Sequence, residues 1–251
     1  MDNISRHNDE IWQNIQNWQK KPVLRRIYKA FYELIAKHLS VGVNGHLVEI
    51  GSGIGTIKEI IPSCIRTDLF PNPWIDRIEN AYKLSFSDTS VSNIIMFDVF
   101  HHLRYPGTAI KESHRVLKSS GRLIIFEPCL SLLGLFIFGM LHPEPLGLIQ
   151  EIQWFAPLDW LPDNTTYYAS QGNASRIFLG NRYRRFFTDW QLVEVKRLSA
   201  ISYIATGGYS RPQLYPSAVL FIMKAIDYLC DLLPWLFATK LLVVLEKKTI
   251  D

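Results

Sequence analysis

Three glycines stand at alternate positions in residues 48–55, which read VEIGSGIG. Gly51, Gly53 and Gly55 follow a short apolar run and precede a stretch of helical character. Because glycine has no Cβ, it accepts a positive φ and lets a ligand approach the bare backbone. The free N–H groups of a following helix would face a negative or polar ligand. The segment predicts a binding loop, although such triplets also occur in purely structural turns.

Two acidic residues flank this loop in the chain. Asp68 ends the next predicted strand, where a carboxylate can accept both hydroxyls of a ribose. Glu49 lies in the strand just before the loop. The glycine spacing is GxGxG, which differs from the GxGxxG of dinucleotide enzymes. The combination therefore predicts a ligand that carries a nucleoside.

The elements that would position these residues are short apolar runs alternating with helical stretches. This alternation predicts an α/β fold with a doubly wound, mostly parallel, seven-stranded sheet. Residues 129–187 are too long for a plain loop and predict a lid. Strands are predicted at 46–50, 64–69, 75–79, 92–97, 122–128, 191–198 and 241–247, and helices at 9–20, 23–39, 56–61 and 108–117.

The composition excludes several classes of protein. With 48% hydrophobic and 20% charged residues, the 251-residue chain is too apolar for a disordered one. A net charge of +4 without a basic block gives little support for a nucleic-acid partner. The three cysteines are far apart and form no CxxC, which argues against a disulfide framework. The polar N-terminus does not resemble a signal peptide, and the apolar run at 129–141 is shorter than the ~20 residues of a spanning helix.

We therefore expect one soluble, cytoplasmic domain over residues 1–251. Its predicted parts are N-terminal helices (1–44), a ligand-binding core (45–128), a lid that meets the substrate (129–187), and the last two strands with an apolar helical insertion (188–251).

Four segments resemble the class I S-adenosylmethionine (SAM)-dependent methyltransferases, in particular their small-molecule branch. VEIGSGIG (48–55) resembles the family's first motif and TDLF (67–70) its second. IIMFDVFHHL (94–103) is similar to the fourth-strand segment, and ESHRVLKSSGRLIIFEP (112–128) to the late helix–turn–strand signature. The resemblance implies a Rossmann-like methyltransferase fold, SAM as the cofactor and methyl transfer as the activity.

The resemblance also implies roles for individual residues. Glu49 and Gly51 would flank the methionine amino group, Asp68 would bind the ribose diol, and Phe97 with Asp98 would lie beside the methionine part. Relatives usually carry an acidic residue where Asn80 stands, but an amide oxygen can still accept from the adenine amine. Asp98 has an alternative role as a helix N-cap. The full cofactor-binding set is Glu49, Gly51, Ser52, Gly53, Gly55, Asp68, Leu69, Asn80, Ala81, Phe97 and Asp98.

Histidines are the candidate general bases. His101 and His102 follow the fourth strand directly, at the carboxyl edge of the sheet where substrates bind. Consecutive helical residues point about 100° apart, so at most one would face the cofactor. The family's HHL pattern is also often structural. His142, with Glu144 close by, is a further candidate from the lid; the alternative is a turn set by Pro143 and Pro145.

No HxxxH or HxH pair occurs, and the Asp dyad of metal-dependent relatives is not evident. We expect no metal.

The acceptor is less constrained by the sequence. Residues 18–32 and 234–247 resemble methyltransferases of bacterial surface polysaccharide and glycolipid synthesis, which favours O-methylation of a sugar or lipid-linked sugar. The alternatives are an aromatic, isoprenoid or polyketide acceptor, and a catalytically silent cofactor-binding module.

Lid aromatics such as Trp154 and Trp160 would stack on a substrate or form the lid's own core. Two basic clusters would either contact an anionic group of the acceptor or lie in solvent. They are Arg176, Arg182, Arg184 and Arg185 in the lid, and Lys20, Lys21, Arg25, Arg26 and Lys29 in the N-terminal helices.

An apolar helix is predicted within residues 217–237, and its apolar residues cover more than one face. Such a helix is normally buried. We therefore expect it to contact either a second copy in a homodimer or the inner face of a membrane, with the protein peripheral there.

Overall fold

The computed structural model describes residues 3–142 and 144–249, and within them one seven-stranded sheet has the order β3-β2-β1-β4-β5-β7-β6. β7 pairs antiparallel with both β5 and β6, and the other pairs are parallel. The predicted doubly wound, mostly parallel fold is confirmed. The strands are β1 His46–Ile50, β2 Ile65–Asp68, β3 Arg77–Ile78, β4 Val91–Phe97, β5 Leu117–Pro128, β6 Trp190–Leu198 and β7 Lys240–Lys247.

Helices and aromatic side chains cover both faces of the sheet. On one face the core includes side chains of the N-terminal helices, and on the other it includes the helix before β5 and part of the lid. β4 is buried along its whole length, as expected for a central strand covered on both sides. The helices are α1 Asn3–Lys20, α2 Pro22–Ala36, α3 Pro106–Val116, α4 Leu132–Phe136, α5 Asn173–Phe178, α6 Ile201–Ile204, α7 Leu220–Cys230 and α8 Pro234–Phe237.

Three local predictions need correction. The helix predicted at 56–61 is a single 3₁₀ turn, Thr56–Glu59, since β-branched residues disfavour a helix and Pro62 stops it. The third strand has two residues, Arg77–Ile78. β5 begins at Leu117 instead of 122, and Ser120 takes a φ of 60° where the pairing register shifts.

The lid closes over the carboxyl edge of the sheet. α4 continues into a π-helical turn, Ile137–Leu141, and an irregular chain then leads to α5. The Asn80 side-chain amide donates to Pro162 O at 3.0 Å, and the rings of Tyr82 and Trp160 lie 5.0 Å apart. These contacts fasten the lid beside the end of β3.

Some of the lid's aromatic residues join the core on one face of the sheet, where Trp154 is buried and stacks on Phe186 at 4.8 Å. Pro143, to which we assigned a turn, lies outside the described residues. No helix in the described part of the chain combines the length and apolar character needed to cross a membrane.

Candidate active site

The carboxyl ends of four adjacent parallel strands bring acidic residues to one edge of the sheet. Glu49 lies near the end of β1, Asp68 ends β2, Asp98 follows β4 and Glu127 lies near the end of β5. Lys240 lies at the same edge, because it is the first residue of β7. This strand runs antiparallel to β5, and Lys240 pairs with Pro128 at the end of β5. Neither Glu127 nor Lys240 was among the site residues predicted from the sequence. The available signal was a charged residue at the end of an otherwise apolar strand.

The glycine loop has the backbone geometry that its sequence predicts. Gly51, Gly53 and Gly55 have φ values of 69°, 52° and 67°. A Cβ at Gly51 would lie 2.4 Å from Val99 Cγ2, whereas a Cβ at Gly53 would meet nothing within 4 Å. Gly51 is therefore required by packing, and Gly53 leaves bare backbone beside open space.

Glu49 supplies an unsatisfied acceptor beside this loop. Its carboxyl is buried, and Oε1 accepts a hydrogen bond from the Tyr32 hydroxyl at 2.9 Å. Oε2 has no hydrogen-bond partner among the described residues. Burial raises the pKa of Glu49 to about 7. A buried carboxylate oxygen without a donor fits an ammonium ligand, such as the methionine amino group of SAM. The ammonium would donate to Oε2 and would favour the charged form of Glu49. Tyr32 carried no signal in the sequence.

Asp68 and the loop form one hydrogen-bonded unit. Asp68 Oδ2 accepts from Gly53 N at 3.0 Å and Oδ1 accepts from Leu69 N at 2.7 Å. Ser52 ties β1 to β2, since its hydroxyl accepts from Thr67 N at 3.2 Å. The carboxylate is thus fixed beside the bare backbone at Gly53, as a site for ribose hydroxyls requires.

Asn80 is engaged at both ends of its amide. Its oxygen accepts from Tyr82 N at 3.0 Å, and its nitrogen donates to Pro162 O and to Thr165 Oγ1. Contact with an adenine amine would use the second lone pair of the oxygen. Neighbouring Ala81 is buried in the core.

Phe97 and Asp98 have different environments. Phe97 is buried and stacks on Tyr28 of α2 at 5.2 Å. Both Asp98 oxygens lie 2.6 Å from Lys240 Nζ. Burial raises the pKa of Asp98, and Lys240 opposes this rise. The N-cap alternative for Asp98 is wrong, because the 3₁₀ turn Phe100–His102 begins after Val99 and has no side-chain cap.

His101 is held between two carboxylates. Its Nδ1 lies 2.7 Å from Glu127 Oε2, and its Nε2 lies 3.2 Å from Glu144 Oε2. Burial alone would lower the pKa of His101, but the two carboxylates outweigh it and raise that pKa to about 10. A ring with a carboxylate at each nitrogen is protonated on both, so His101 has no free lone pair to serve as a base.

His102 is the opposite case. Its Nδ1 lies 2.9 Å from Tyr168 O, so this nitrogen carries the hydrogen and Nε2 keeps the lone pair. Burial lowers the pKa of His102 to about 4, and the charge of His101 acts in the same direction. Nε2 lies 3.7 Å from Glu144 Oε1. His102 also lines a small cavity of about 20 Å³ with Tyr82, Tyr105 and Trp160.

The two rings lie 4.1 Å apart and both reach Glu144, although neighbouring helical positions would separate them. The segment is a single 3₁₀ turn that ends at an extended Leu103, which allows this approach. His142 is partly exposed, and its Nδ1 accepts from Glu144 N at 3.3 Å. It therefore sits at the outer side of the same group.

One group of three potential metal ligands occurs among the described residues: His101, His102 and Glu144, whose ligand atoms lie within 4.8 Å of one another. A metal would have to displace the proton that His101 Nε2 shares with Glu144. The expectation of no metal stays a prediction.

The arginine cluster of the lid has partners within the chain. Arg176 Nη2 donates to Gln150 O at 2.7 Å, and Arg182 pairs with Glu151 at 2.9 Å. Arg185 lies over the ring of Phe186. Arg176 and Arg182 are thus engaged within the lid itself, which argues against a phosphate site formed by all four arginines.

Comparison with known protein families gives a match over the strands that carry Glu49, Asp68 and Asp98. Residues 48–125 match a family model described as a methyltransferase domain. No curated protein sequence matches the chain. A SAM-dependent methyltransferase structure from Thermotoga maritima is 15% identical, with 95% of this chain and 99% of that chain covered and a TM-score of 0.53.

Two further solved structures are similar in fold. A SAM-dependent methyltransferase from Archaeoglobus fulgidus is 14% identical over 89% of this chain and 94% of that one, with a TM-score of 0.51. The geranyl diphosphate C-methyltransferase of Streptomyces coelicolor A3(2) is 13% identical over 88% and 78%, with a TM-score of 0.52. At these identities the similarity shows the fold alone. Together, the comparisons show that residues 48–125 match a methyltransferase domain and that the chain has the fold of SAM-dependent methyltransferases.

Proposed function

We propose that the chain methylates a hydroxyl group of a sugar or lipid-linked sugar, with His102 as the general base. The observation that carries the proposal is the geometry of His102 at the carboxyl edge of the sheet: Nδ1 lies 2.9 Å from Tyr168 O, so Nε2 keeps its lone pair. Amines and acidic phenols need no dedicated base for methyl transfer. A sugar hydroxyl has a much higher pKa and does benefit from one.

The cofactor would be held by the glycine loop, Glu49 and Asp68. When bound, SAM supplies an electrophilic methyl carbon on its sulfonium sulfur. Glu49 Oε2 would accept from the methionine ammonium, and Asp68 would accept from the ribose hydroxyls. The task of the remaining residues is to hold the acceptor oxygen in line and to exclude water.

His102 Nε2 would take the proton that the acceptor hydroxyl loses on methylation. Glu144, 3.7 Å away, would stabilise the imidazolium that results. Tyr168 O would keep the hydrogen on Nδ1 throughout, so that Nε2 is the nitrogen that takes the proton. This is the arrangement of an oriented base with a carboxylate beside it.

A second acceptor class is an isoprenoid or aromatic metabolite. Tyr82, Tyr105 and Trp160 line the cavity beside His102, but at about 20 Å³ it has room for about one water molecule, so an acceptor of either class would contact these rings only after the lid had moved. Transfer to an acidic phenol would make little use of the base.

The test uses purified protein, methyl-labelled SAM and two acceptor sets: lipid-diphosphate oligosaccharides, and isoprenoid or aromatic metabolites. We expect labelled sugar products whose mass rises by one methyl group. The variant His102→Gln should lose this activity, whereas binding of SAM measured by calorimetry should be unchanged. Label found only in non-sugar products would overturn the acceptor, and an active His102→Gln would overturn the base.

A further inference from the structure

Helix α7 is attached to the rest of the chain through its charged residues. Asp227 is 6% exposed and accepts hydrogen bonds from the backbone N (2.9 Å) and the hydroxyl of Ser202. Asp231 accepts from Ser199 N at 2.5 Å. Lys224 Nζ lies 5.8 Å from the ring centre of Phe31 in α2. The face that carries charge is the face that packs inward.

The outward face of α7 is apolar. Phe221 and Leu229 are 73% and 61% exposed, and Leu232, in the turn that follows α7, is 68% exposed. A surface helix normally has the reverse arrangement, with apolar residues toward the core and polar residues toward water. The structure thus leaves this face open for the contact that the sequence predicts, with a second copy or with a membrane.

This face continues onto neighbouring elements. α8 packs against both α7 and α4. It adds Trp235, and α4 with its π-helical turn adds Phe136 and Met140, all more than half exposed. We call the six residues Phe136, Met140, Phe221, Leu229, Leu232 and Trp235 the apolar face. A contiguous apolar surface of this kind marks a site of interaction.

The charges around the apolar face are basic. Residues 129–142 contain no Asp, Glu, Lys or Arg, and the acidic residues of 196–240 are Asp227 and Asp231, which both turn inward. Arg211 lies at the border, since its Nη2 donates to Leu141 O at 2.5 Å. Lys196 is exposed on β6, against which α8 packs.

We propose that the apolar face docks on an anionic lipid bilayer. The apolar side chains would enter the boundary between headgroups and acyl chains, Trp235 would lie at the interface, and Arg211 and Lys196 would meet lipid phosphates. In a homodimer formed through this face, the basic borders of two copies would face each other. The bilayer complements this charge, so charge favours it over a second copy.

The test is cosedimentation of the full chain with vesicles, without cofactor or acceptor, so its outcome is independent of the proposed chemistry. Vesicles of phosphatidylcholine alone are compared with vesicles that also contain phosphatidylglycerol. We expect binding to the anionic vesicles that weakens as salt is raised. The double variant Leu229→Gln/Leu232→Gln should bind at least tenfold more weakly. Val41→Gln replaces an exposed apolar residue outside the apolar face and should bind like the wild type.

Light scattering on the same three proteins supplies the second measurement. We expect the wild type and both variants to have the same mass in solution. A wild-type dimer that Leu229→Gln/Leu232→Gln converts to monomers would overturn the proposal in favour of a second copy. Absence of wild-type binding to anionic vesicles, or equal loss in Val41→Gln, would overturn it as well.

Discussion

His101 and His102 are neighbours in the chain and have opposite protonation states. The carboxylates of Glu127 and Glu144 keep a proton on each nitrogen of His101. His102 donates from Nδ1 to Tyr168 O and leaves Nε2 as an acceptor. The hydrogen-bond partners of two adjacent rings, which the HHL pattern cannot specify, determine which one can act as a base.

At this scale we predict that His102→Gln lowers kcat by about 10²- to 10⁴-fold, the usual contribution of a general base. The matched control is His142→Gln, which removes a ring from the outer side of the same group and should change kcat by less than about tenfold. Steady-state kinetics on both variants measures this. If kcat falls by a similar factor in both variants, His102 is not the specific base.

The pKa of His101 gives a prediction on pH. Its folded-state pKa of about 10 lies above the usual histidine value of 6.5, so its contribution to stability is fully present below pH 6.5 and is lost as pH rises toward 10. The gap in unfolding free energy between wild type and His101→Gln should shrink across that window. Urea unfolding at several pH values measures the gap, and a constant gap would mean that His101 is not protonated in the folded state.

At the scale of elements, the β1 strand, the glycine loop and β2 act as one unit. Ser52, Thr67 and Asp68 join the loop to β2 by hydrogen bonds. The sequence predicted this unit from residue types because a left-handed turn between parallel strands requires glycine. It did not predict Tyr32, which reaches Glu49 from α2, because no local pattern links a helix tyrosine to a strand seventeen residues away.

Two glycines of this loop should respond differently to the same substitution. Gly51→Ala and Gly53→Ala both place a Cβ on a residue with positive φ, at a cost of about 1–2 kcal/mol. Only at Gly51 would the Cβ meet Val99, which adds overpacking of about 1–3 kcal/mol. Urea unfolding should therefore show the larger loss for Gly51→Ala, whereas Gly53→Ala should mainly weaken SAM binding. Equal stability losses would contradict the assigned packing.

At the scale of the whole molecule, the N-terminal helices are tied to the connection between β6 and β7. Lys21 belongs to the basic group expected to be solvated or to meet an anionic ligand, but it is buried, and that expectation is wrong for this residue. Its Nζ donates to the carbonyls of Thr206, Gly208 and Arg211. The turn between α1 and α2 is thus held against the segment that follows α6.

We predict that Lys21→Met lowers the free energy of unfolding by about 1–3 kcal/mol, because methionine fills the volume but leaves buried carbonyls without a donor. Lys20→Met is the matched control, since Lys20 is exposed on the neighbouring position. Its unfolding free energy should stay within about 0.5 kcal/mol of the wild type. Chemical denaturation of the three proteins checks the difference, and equal stabilities would show that the Lys21 contacts contribute little.

Residue patterns alone predict the sheet, the glycine loop and the positions of Glu49 and Asp68 near the ends of their strands, because strand periodicity and turn chemistry are local properties of the chain. Only the tertiary structure placed Lys240 on Asp98, Glu144 between two histidines and Asp227 on the inner side of α7. Each of these contacts joins residues more than twenty positions apart. A pattern in the sequence shows that a helix is apolar, but the direction in which its faces point depends on what the rest of the fold packs against it.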